Sequence, residues 1–365
     1  MGLFKSDDKT ANFLGVDIGG SSIKMVELTN NNGRAQLVTY GYLERSLSGK
    51  KVKLIDEPEK TSELIKKVVA SSKVMTKRAV TALPAAAVFS AIISLPEIAK
   101  ADLASTKKVT AAVEWEAKKV LPLPLEEMVL DWKVLSSEEE LQKKEKVDGD
   151  KIKNLQVLLT GAAKEVVQKY IEIFKKADLE LVSLETESFA LARSMVGKDK
   201  STVILVDIGA ANTDISVIEN SIPLLNRSVS VGGLDISKGI MDTLKITLEQ
   251  AEQFKRDLAG NPSEEGMPEV VQRAVQAILD EIQYTMNFYL EQPENKDKKF
   301  ERIVLSGGTA NLFNLSEYFA EKLDIRTFIG NPWARVIYPE DLQAVLESVG
   351  PRLATSIGLA MRDIE

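Results

Sequence analysis

Val16-Asp17-Ile18-Gly19-Gly20-Ser21-Ser22 stands near the start of the chain, and Val206-Asp207-Ile208-Gly209-Ala210-Ala211-Asn212-Thr213 repeats its plan past the middle. Each is an apolar strand ending in Asp, a turn of small residues and a second strand. Phe13 to Ile18 runs into the first turn and Ile23 to Leu28 out of it; Val203 to Ile208 and Ile215 to Ile218 do the same for the second. Both read as hairpins. Glycine permits positive φ and carries no Cβ, so tips stripped of bulk let backbone N–H groups close on a bound anion. The Ser and Thr hydroxyls add donors, and Asp at the strand end offers a hard oxygen to a magnesium ion or to its waters. Two such hairpins facing one another would grip the phosphates of a nucleotide from both sides.

A third segment, Ile303-Val304-Leu305-Ser306-Gly307-Gly308-Thr309-Ala310-Asn311-Leu312, reads as a strand, a glycine pair and a helix opening. Backbone that passes under a flat ring needs the absent side chains of Gly307 and Gly308, so the expectation is an adenosine-binding turn that includes Thr309 and Asn311. One Asp-Ile-Gly hairpin alone is an ordinary β-turn; three elements in this order are hard to obtain by chance. The order resembles the actin-like ATPase superfamily, which includes actin, the heat-shock chaperone ATPases, sugar kinases and bacterial FtsA. The resemblance implies an α/β actin-like ATPase fold, two lobes with a cleft.

Composition excludes several rivals. The chain has 365 residues, long enough for two lobes with separate cores. It contains no cysteine and no histidine. Disulfide scaffolds, Cys/His zinc sites, thiol nucleophiles and Ser-His-Asp triads are therefore excluded. A net charge of −7 disfavours a general nucleic-acid binder, and no nucleic acid is expected as a partner. Apolar stretches such as Ala79 to Ile93, interrupted by Pro84, are too short to span a bilayer, and nothing before Asn12 reads as a signal peptide. The expected location is the cytoplasm. Met1-Gly2-Leu3-Phe4-Lys5-Ser6 matches the N-myristoylation pattern, but the pattern is permissive and the segment reads as a frayed terminus. Its Leu3 and Phe4 remain candidates to dock on a partner or on a lobe.

Along the chain, three strands (13–18, 22–29 and 36–43) precede a helix from Glu59 to Ala70 and a strand at Arg78 to Leu83. Residues 85–160 read as an inserted subdomain: a strand at Val88 to Ser94, a helix at Ala101 to Val120, and strands at Met128 to Leu135 and Asn154 to Thr160. The charged stretch between the last two is a solvated loop. Helices at Ala163 to Lys176 and Glu185 to Met195 return the chain to the first lobe. The second lobe begins at Ser201, with helices to Leu244, from Leu248 to Leu258 and from Pro268 to Leu290; the last carries Val271, Val275, Ile278, Ile282, Met286 and Tyr289 on one face as packing surface. A terminal helix begins near Leu353, with small residues that permit close crossing. The division expected is 1–84 and 161–200 for subdomain 1A, 85–160 for the insert 1C, 201–231 and 301–365 for 2A, and 232–300 for 2B.

An insert at that place is the FtsA pattern. Within it, Ala112-Val113-Glu114-Trp115-Glu116-Ala117-Lys118-Lys119-Val120-Leu121-Pro122-Leu123-Pro124-Leu125-Glu126-Glu127-Met128-Val129-Leu130-Asp131-Trp132 resembles the PilM family of type IV pilus assembly proteins. With the two hairpins and Leu184 to Arg193, the resemblance covers nearly the whole chain. It implies ATP and Mg2+ as cofactors and a scaffold at the inner face of the bacterial inner membrane, serving pilus assembly and twitching motility. The implied partners are the N-terminal cytoplasmic tail of PilN, held in a groove between subdomains 1A and 1C, and other platform proteins through which the membrane is met indirectly; self-association is left open. Val113, Trp115, Val120 and Leu121-Pro122-Leu123 are the expected wall of that groove, although Trp115 fits the subdomain's own core equally well. An FtsA-like division filament and a small-molecule kinase are the alternatives.

The roles follow. Gly19, Gly20, Ser21 and Ser22 are expected to cradle the β- and γ-phosphates. Lys24, on the same strand face as Ser22, would neutralise them. Asp17 and Asp207 are the metal candidates, acting through waters because magnesium dehydrates reluctantly. Gly209, Ala210, Asn212 and Thr213 face the phosphates from the second lobe, and Gly232 and Gly233 add oriented N–H donors at a helix start. Glu252 and Lys255, three apart on one helix, are placed by the resemblance at ribose and base. Glu187 or Asp207 would orient an attacking water. Neither has the local signature of a base, so firm binding and slow turnover are expected.

Overall fold

Strand β1 (Asn12–Ile18) is buried on both faces from Leu14 onward, which fits only the middle of a covered sheet. The computed structural model describes residues 12–20, 22–44, 53–99, 106–135, 151–260 and 266–364. Ser21, the first eleven residues, most of the charged loop and most of the Pro262 to Gly266 loop lie outside the described residues. β1 pairs antiparallel with β2 (Ser22–Asn31), which pairs with β3 (Arg34–Glu44). The β2–β3 turn has positive φ at Asn32 and Gly33, and Asn30 Oδ1 accepts the Gly33 N–H at 2.7 Å, the chemistry of a tight hairpin. Helix α1 (Pro58–Ser71) packs Ile65 and Val68 inward, and β4 (Arg78–Leu83) joins β1 in parallel.

The chain then builds a separate compact unit, Ala86–Tyr170. Its antiparallel sheet is ordered β5 (Val88–Ala99), β7 (Lys151–Ala163), β6 (Met128–Val134), and α2 (Thr106–Ala117) presses Val109, Val113 and Ala117 onto Ile93, Leu95, Leu155, Val157 and Leu159. The other unit, Met1–Ala85 with Ile171–Glu365, holds two larger sheets. After α3 (Lys164–Lys176), β8 (Glu180–Thr186) closes the six-stranded one, ordered β14-β3-β2-β1-β4-β8, with β14 at Val336–Ile337. Helix α4 (Glu187–Leu191) and a π-helical turn (Ala192–Val196) lead to the five-stranded one. It consists of β9 (Val203–Ile208), β10 (Thr213–Glu219), β11 (Ile222–Val229), β12 (Arg302–Ser306) and β13 (Thr327–Ile329), ordered β11-β10-β9-β12-β13. Helices α5 (Gly233–Leu244), α6 (Leu248–Gly260), α7 (Glu269–Leu290), α8 (Leu315–Leu323) and α9 (Gln343–Ala360) complete it.

The six-residue face expected of α7 is buried, Val271, Val275, Ile278, Ile282 and Met286 in one core with Ile204, Val206, Ile303 and Leu305, and Tyr289 beside Phe300; each large apolar side chain so covered contributes about 1.5–3 kcal/mol. Helix α9 lies directly on β1 and α4. A Cβ on Gly15 would fall 2.0 Å from the Ser356 carbonyl oxygen, and one on Gly358 would fall 1.9 Å from that of Ala190. The close crossing expected from small residues is therefore backbone against backbone.

Four expectations need correction. Helix α9 begins at Gln343, a decade of residues before Leu353, and carries Pro351 inside it; the Pro351 carbonyl accepts the Gly307 N–H at 3.0 Å, which stitches the helix to β12. No helix opens after Gly308: turns run to Asn314, at φ 53°, before α8 starts at Leu315. β8 went unread because, as an edge strand that pairs with β4 alone, it mixes polar residues (Glu180, Ser183, Glu185 and Thr186) irregularly among apolar ones instead of running apolar throughout. The helix placed from Glu185 starts at Glu187, with Thr186 Oγ1 capping it by accepting the Phe189 N–H at 3.4 Å.

Candidate functional site

The two hairpins share one construction. The Gly19 N–H donates to the Ser22 carbonyl at 2.9 Å, and the Gly209 N–H to the Asn212 carbonyl at 2.9 Å. Asp17 stands opposite Lys24 across β1 and β2; Asp207 stands opposite Asp214 across β9 and β10. The tips face one another: a Cβ built on Gly20 would lie 3.8 Å from the Ala211 Cβ. Asp207 also lies opposite Ser306 of β12.

Facing residues of an antiparallel pair share a face, so the second hairpin sets two carboxylates side by side, an arrangement that costs free energy unless a cation relieves it. Burial, reinforced by Asp214 and Asp17, pushes Asp207 up to about 6 against the pull of Lys24 and the Ser306 hydroxyl. Glu187 is held well above the usual carboxylate range by burial and by Asp17, Asp214 and Asp207, with the Ala85 N–H, 3.3 Å from its Oε2, opposing. Burial also raises Asp214, whose Oδ1 is buried without a hydrogen-bond partner. Burial pulls Lys24 down, but Asp17, Asp207 and Glu187 outweigh it and the ammonium is held above its ordinary value. Its Nζ donates to Asp17 Oδ2 at 2.8 Å. Lys24 was expected on the phosphates; here it holds the metal candidate Asp17, and an incoming phosphate would compete for it.

The other expected residues divide. Gly233, Thr309 and Lys255 converge: a Cβ on Gly233 would lie 2.5 Å from Thr309 Oγ1 and 3.5 Å from Lys255 Nζ, and one on Gly232 would lie 2.8 Å from Ala210. Lys255 Nζ donates to the Gly233 carbonyl and to Ser237 Oγ, each at 2.8 Å, and Ser237 Oγ donates to Glu252 Oε1. Burial holds Lys255 below the ordinary lysine value. The oriented donors expected at Gly232 and Gly233 are spent, the first on Asp235 Oδ2 at 3.2 Å and the second on the Gly209 carbonyl. These glycines bring α5 against the second hairpin instead. Thr213 is buried and donates to the Val231 carbonyl at 2.7 Å, so its hydroxyl is not offered to phosphate, whereas Asn212 is exposed. Asn311 Nδ2 donates to the Ser348 carbonyl of α9. Gly307, at φ +89°, is needed because a Cβ would fall 2.4 Å from the Ile208 carbonyl; Gly308 faces open space.

Asp214 was missed. It sits seven residues after Asp207, as Lys24 sits seven after Asp17, so overlaying the two motifs would have found it.

The site fits a hydrated cation. Four carboxylates act on one another around Lys24, and one has an orphaned oxygen. Yet among the described residues no three or more Asp or Glu are grouped to hold a metal directly. In the insert, Trp115 is 67% exposed, with Val120 and Leu123 also exposed, while Val113 is buried in the core. Trp115 is thus not core, and Val113 forms no docking wall. Among the described residues no helix is long and apolar enough to cross a membrane.

A family model described as type IV pilus assembly protein PilM matches residues 15–364. The chain is similar to one in the solved PilM-PilN type IV pilus biogenesis complex, with a TM-score of 0.77 and 26% identity over 96% of this chain and 98% of that one. It shares its fold with MreB5 of Spiroplasma citri bound to ADP, with a TM-score of 0.51 and 14% identity over 96% of this chain and 95% of that one. Cell division protein FtsA of Bacillus subtilis (strain 168) is 26% identical over 149 residues, 39% of this chain and 34% of FtsA, so the match spans about a third of that relative. The fold is actin-like.

Proposed function

Because the chain belongs to the PilM family of type IV pilus assembly proteins, we propose that it is an ATP-binding scaffold of the pilus assembly platform at the inner face of the inner membrane. In this reading it binds the N-terminal cytoplasmic tail of a PilN-type partner. The similar chain of known structure is in a complex with PilN, which supports the choice of partner. The observation that carries the reading is Trp115, left in solvent on α2 with Val120 and Leu123 at the Pro-Leu-Pro exit. An exposed indole beside apolar neighbours is what an extended apolar tail would cover.

Nucleotide binding would use the hairpin tips. Gly19, Gly20 and Ser22 meet the phosphates from one sheet, and Gly209, Ala210 and Asn212 from the other, with Lys24 transferred from Asp17 to phosphate. Asp17 and Asp207, with Asp214 beside them, would hold Mg2+ through its waters. When bound, the ion supplies charge neutralisation between the carboxylates and the phosphates. Lys255, Glu252 and Thr309 border the nucleoside end, and Gly308 lies under the base. Glu187 and Asp207 are the groups able to orient a water. In this reading turnover is slow, since neither carboxylate carries the local signature of a base, and ATP acts by biasing conformation.

The test is a titration of the protein, with and without Mg-ATP, against a labelled peptide copying the N-terminal tail of the neighbouring PilN. Saturable binding that Trp115→Ala weakens tenfold or more supports the reading. No binding, with ATP still bound, favours a filament or kinase role.

A further inference from the structure

The outer strand of a sheet offers a row of unpaired N–H and C=O groups to any extended chain, and folded proteins ordinarily blunt that row with shortness, charge or proline. Among the described residues, all outer strands but one are blunted in this way. β13 has three residues and β14 two. β8 carries Glu180 and Glu185, and β11 carries Pro223 and Arg227. In the insert, β5 contains Pro96 and Glu97, and β6 contains Asp131 and Lys133.

β3 is the exception. Among the described residues its outer side is paired only at Ala35 and Gln36, by β14. Beyond them Leu37-Val38-Thr39-Tyr40-Gly41-Tyr42-Leu43 runs on to Glu44 without a charge or a proline, and none of these residues is buried. Val38 is an extra residue between Leu37, opposite Leu28, and Thr39, opposite Glu27, so the regular run begins at Thr39. The two faces of that run differ. Thr39 and Gly41 lie toward the end of α1: the Thr39 hydroxyl donates to the Ser72 carbonyl at 2.7 Å, and a Cβ on Gly41 would fall 1.8 Å from Ser72 Oγ. Tyr40 and Tyr42 share the opposite face. Tyr40 stands edge-on to Trp333 with ring centroids 6.4 Å apart. Tyr42 is 41% exposed, and Arg352, whose guanidinium lies 5.4 Å from its ring centroid, donates to Glu44 Oε1 at 2.9 Å. Rings already held in place lose little freedom when a neighbour covers them.

We infer that this edge pairs antiparallel with the β3 edge of a second copy of the chain, about a two-fold axis at Gly41. Residues directly opposite in an antiparallel pair share a face. An axis at Gly41 therefore sets Tyr40 opposite Tyr42 of the second copy, and Tyr42 opposite its Tyr40, with Thr39 opposite Leu43 on the other face. Two aromatic pairs then flank a glycine centre. The neighbouring registers fail: axes at Thr39 or Tyr40 run the second strand onto the positions β14 already pairs, and axes at Tyr42 or Leu43 set Glu44 opposite a tyrosine.

The test is sedimentation velocity of the full chain over a concentration series, with Tyr42→Lys and, as a control at another exposed aromatic, Tyr284→Lys. A strand-to-strand contact is smaller than a standard protein interface, so a dimer populated at about 100 µM is expected. Tyr42→Lys, with its circular dichroism spectrum unchanged, should weaken the dimer at least tenfold, and Tyr284→Lys should not. The absence of cysteine lets the contact be placed as well. Tyr42→Cys should be joined to its copy by a short bis-maleimide at least fivefold faster than Tyr284→Cys, because diagonal neighbours across paired strands lie about 7–8 Å apart. A protein still monomeric at that concentration overturns the inference. A dimer that Tyr42→Lys leaves intact lies on another surface and overturns it, and assemblies growing beyond two copies overturn the two-fold pairing. Hydrogen exchange at residues 39–43 slowed by a PilN tail peptide, without a dimer, overturns it in favour of a peptide partner.

Discussion

Asp207 and Asp214 form a strained pair, two carboxylates facing across β9 and β10 with one oxygen unpartnered. Raising the pKa of Asp207 to about 6 means that the folded state binds its proton more tightly than the unfolded chain does. Stability therefore falls as pH rises from about 4 to about 6, and above that the charged carboxylate is a standing cost. Asp207→Asn should stabilise the ligand-free protein by roughly 1–2 kcal/mol at pH 7.5 and by nearly nothing at pH 4, read by urea denaturation at both values. With Mg-ATP present the order should reverse. A variant less stable than the parent at pH 7.5 without ligand would show that the pair is not strained. Lys24→Ala tests the other hairpin: losing a charged hydrogen bond to phosphate costs about 1.5–3 kcal/mol, or roughly tenfold to a hundredfold in ATP affinity, with the circular dichroism spectrum unchanged. The sequence displayed Asp17, Asp207 and Lys24 openly because a turn without bulk announces itself. It did not show that the Thr213 hydroxyl and the Gly233 N–H are spent inside the protein, since which face a turn residue presents depends on strands far away in sequence.

At the scale of elements, the crossing of α9 over β1 and α4 decides how the two sheets are held. Arg193 of the π-helical turn spans Glu185 and the Gly358 carbonyl, and Arg362 also reaches Glu185, so the crossing is pinned by charge at the point where the backbones touch. Gly358→Ala, with its Cβ aimed at a carbonyl oxygen, should cost about 3 kcal/mol in a urea titration. A loss below about 1 kcal/mol would mean that the helices can part. The small residues of α9 were legible as a crossing surface. Its first ten residues were not, because Pro351 looks like a stop and its real role, leaving a carbonyl for Gly307, needs β12 alongside. Buried strands with unbroken apolar runs, such as β1, β9 and β12, could be read directly. The edge strand β8 could not, and β5 runs on to Ala99 through Pro96, which an outer strand tolerates. In the insert, helical spacing separated one face of α2 from the other but not which face was covered; packing on the sheet buries Val113 and leaves Trp115 outside.

At the scale of the whole molecule, the repeated hairpin gives the larger unit two half-sites of unlike charge, one with a Lys and one with an extra Asp at the matching position. Neither half is complete: the first lacks a place for a cation beyond its own ammonium, and the second lacks any cation. A ligand that is itself a polyanion carrying a divalent ion completes both at once, so its binding free energy depends on the two sheets together. At a hundredfold excess over Kd such a ligand stabilises the fold by about 2.7 kcal/mol. Hydrogen exchange should then slow at residues 17–24 and 207–214 in parallel on adding Mg-ATP, and not with Mg2+ alone. Combining Lys24→Ala with Asp207→Asn should lose less ATP affinity than the sum of the single losses, by at least about 1 kcal/mol, because both act on one bound ligand. Protection confined to one hairpin, or strictly additive losses, would mean that the nucleotide is held by a single sheet and that the pairing of the tips serves packing alone.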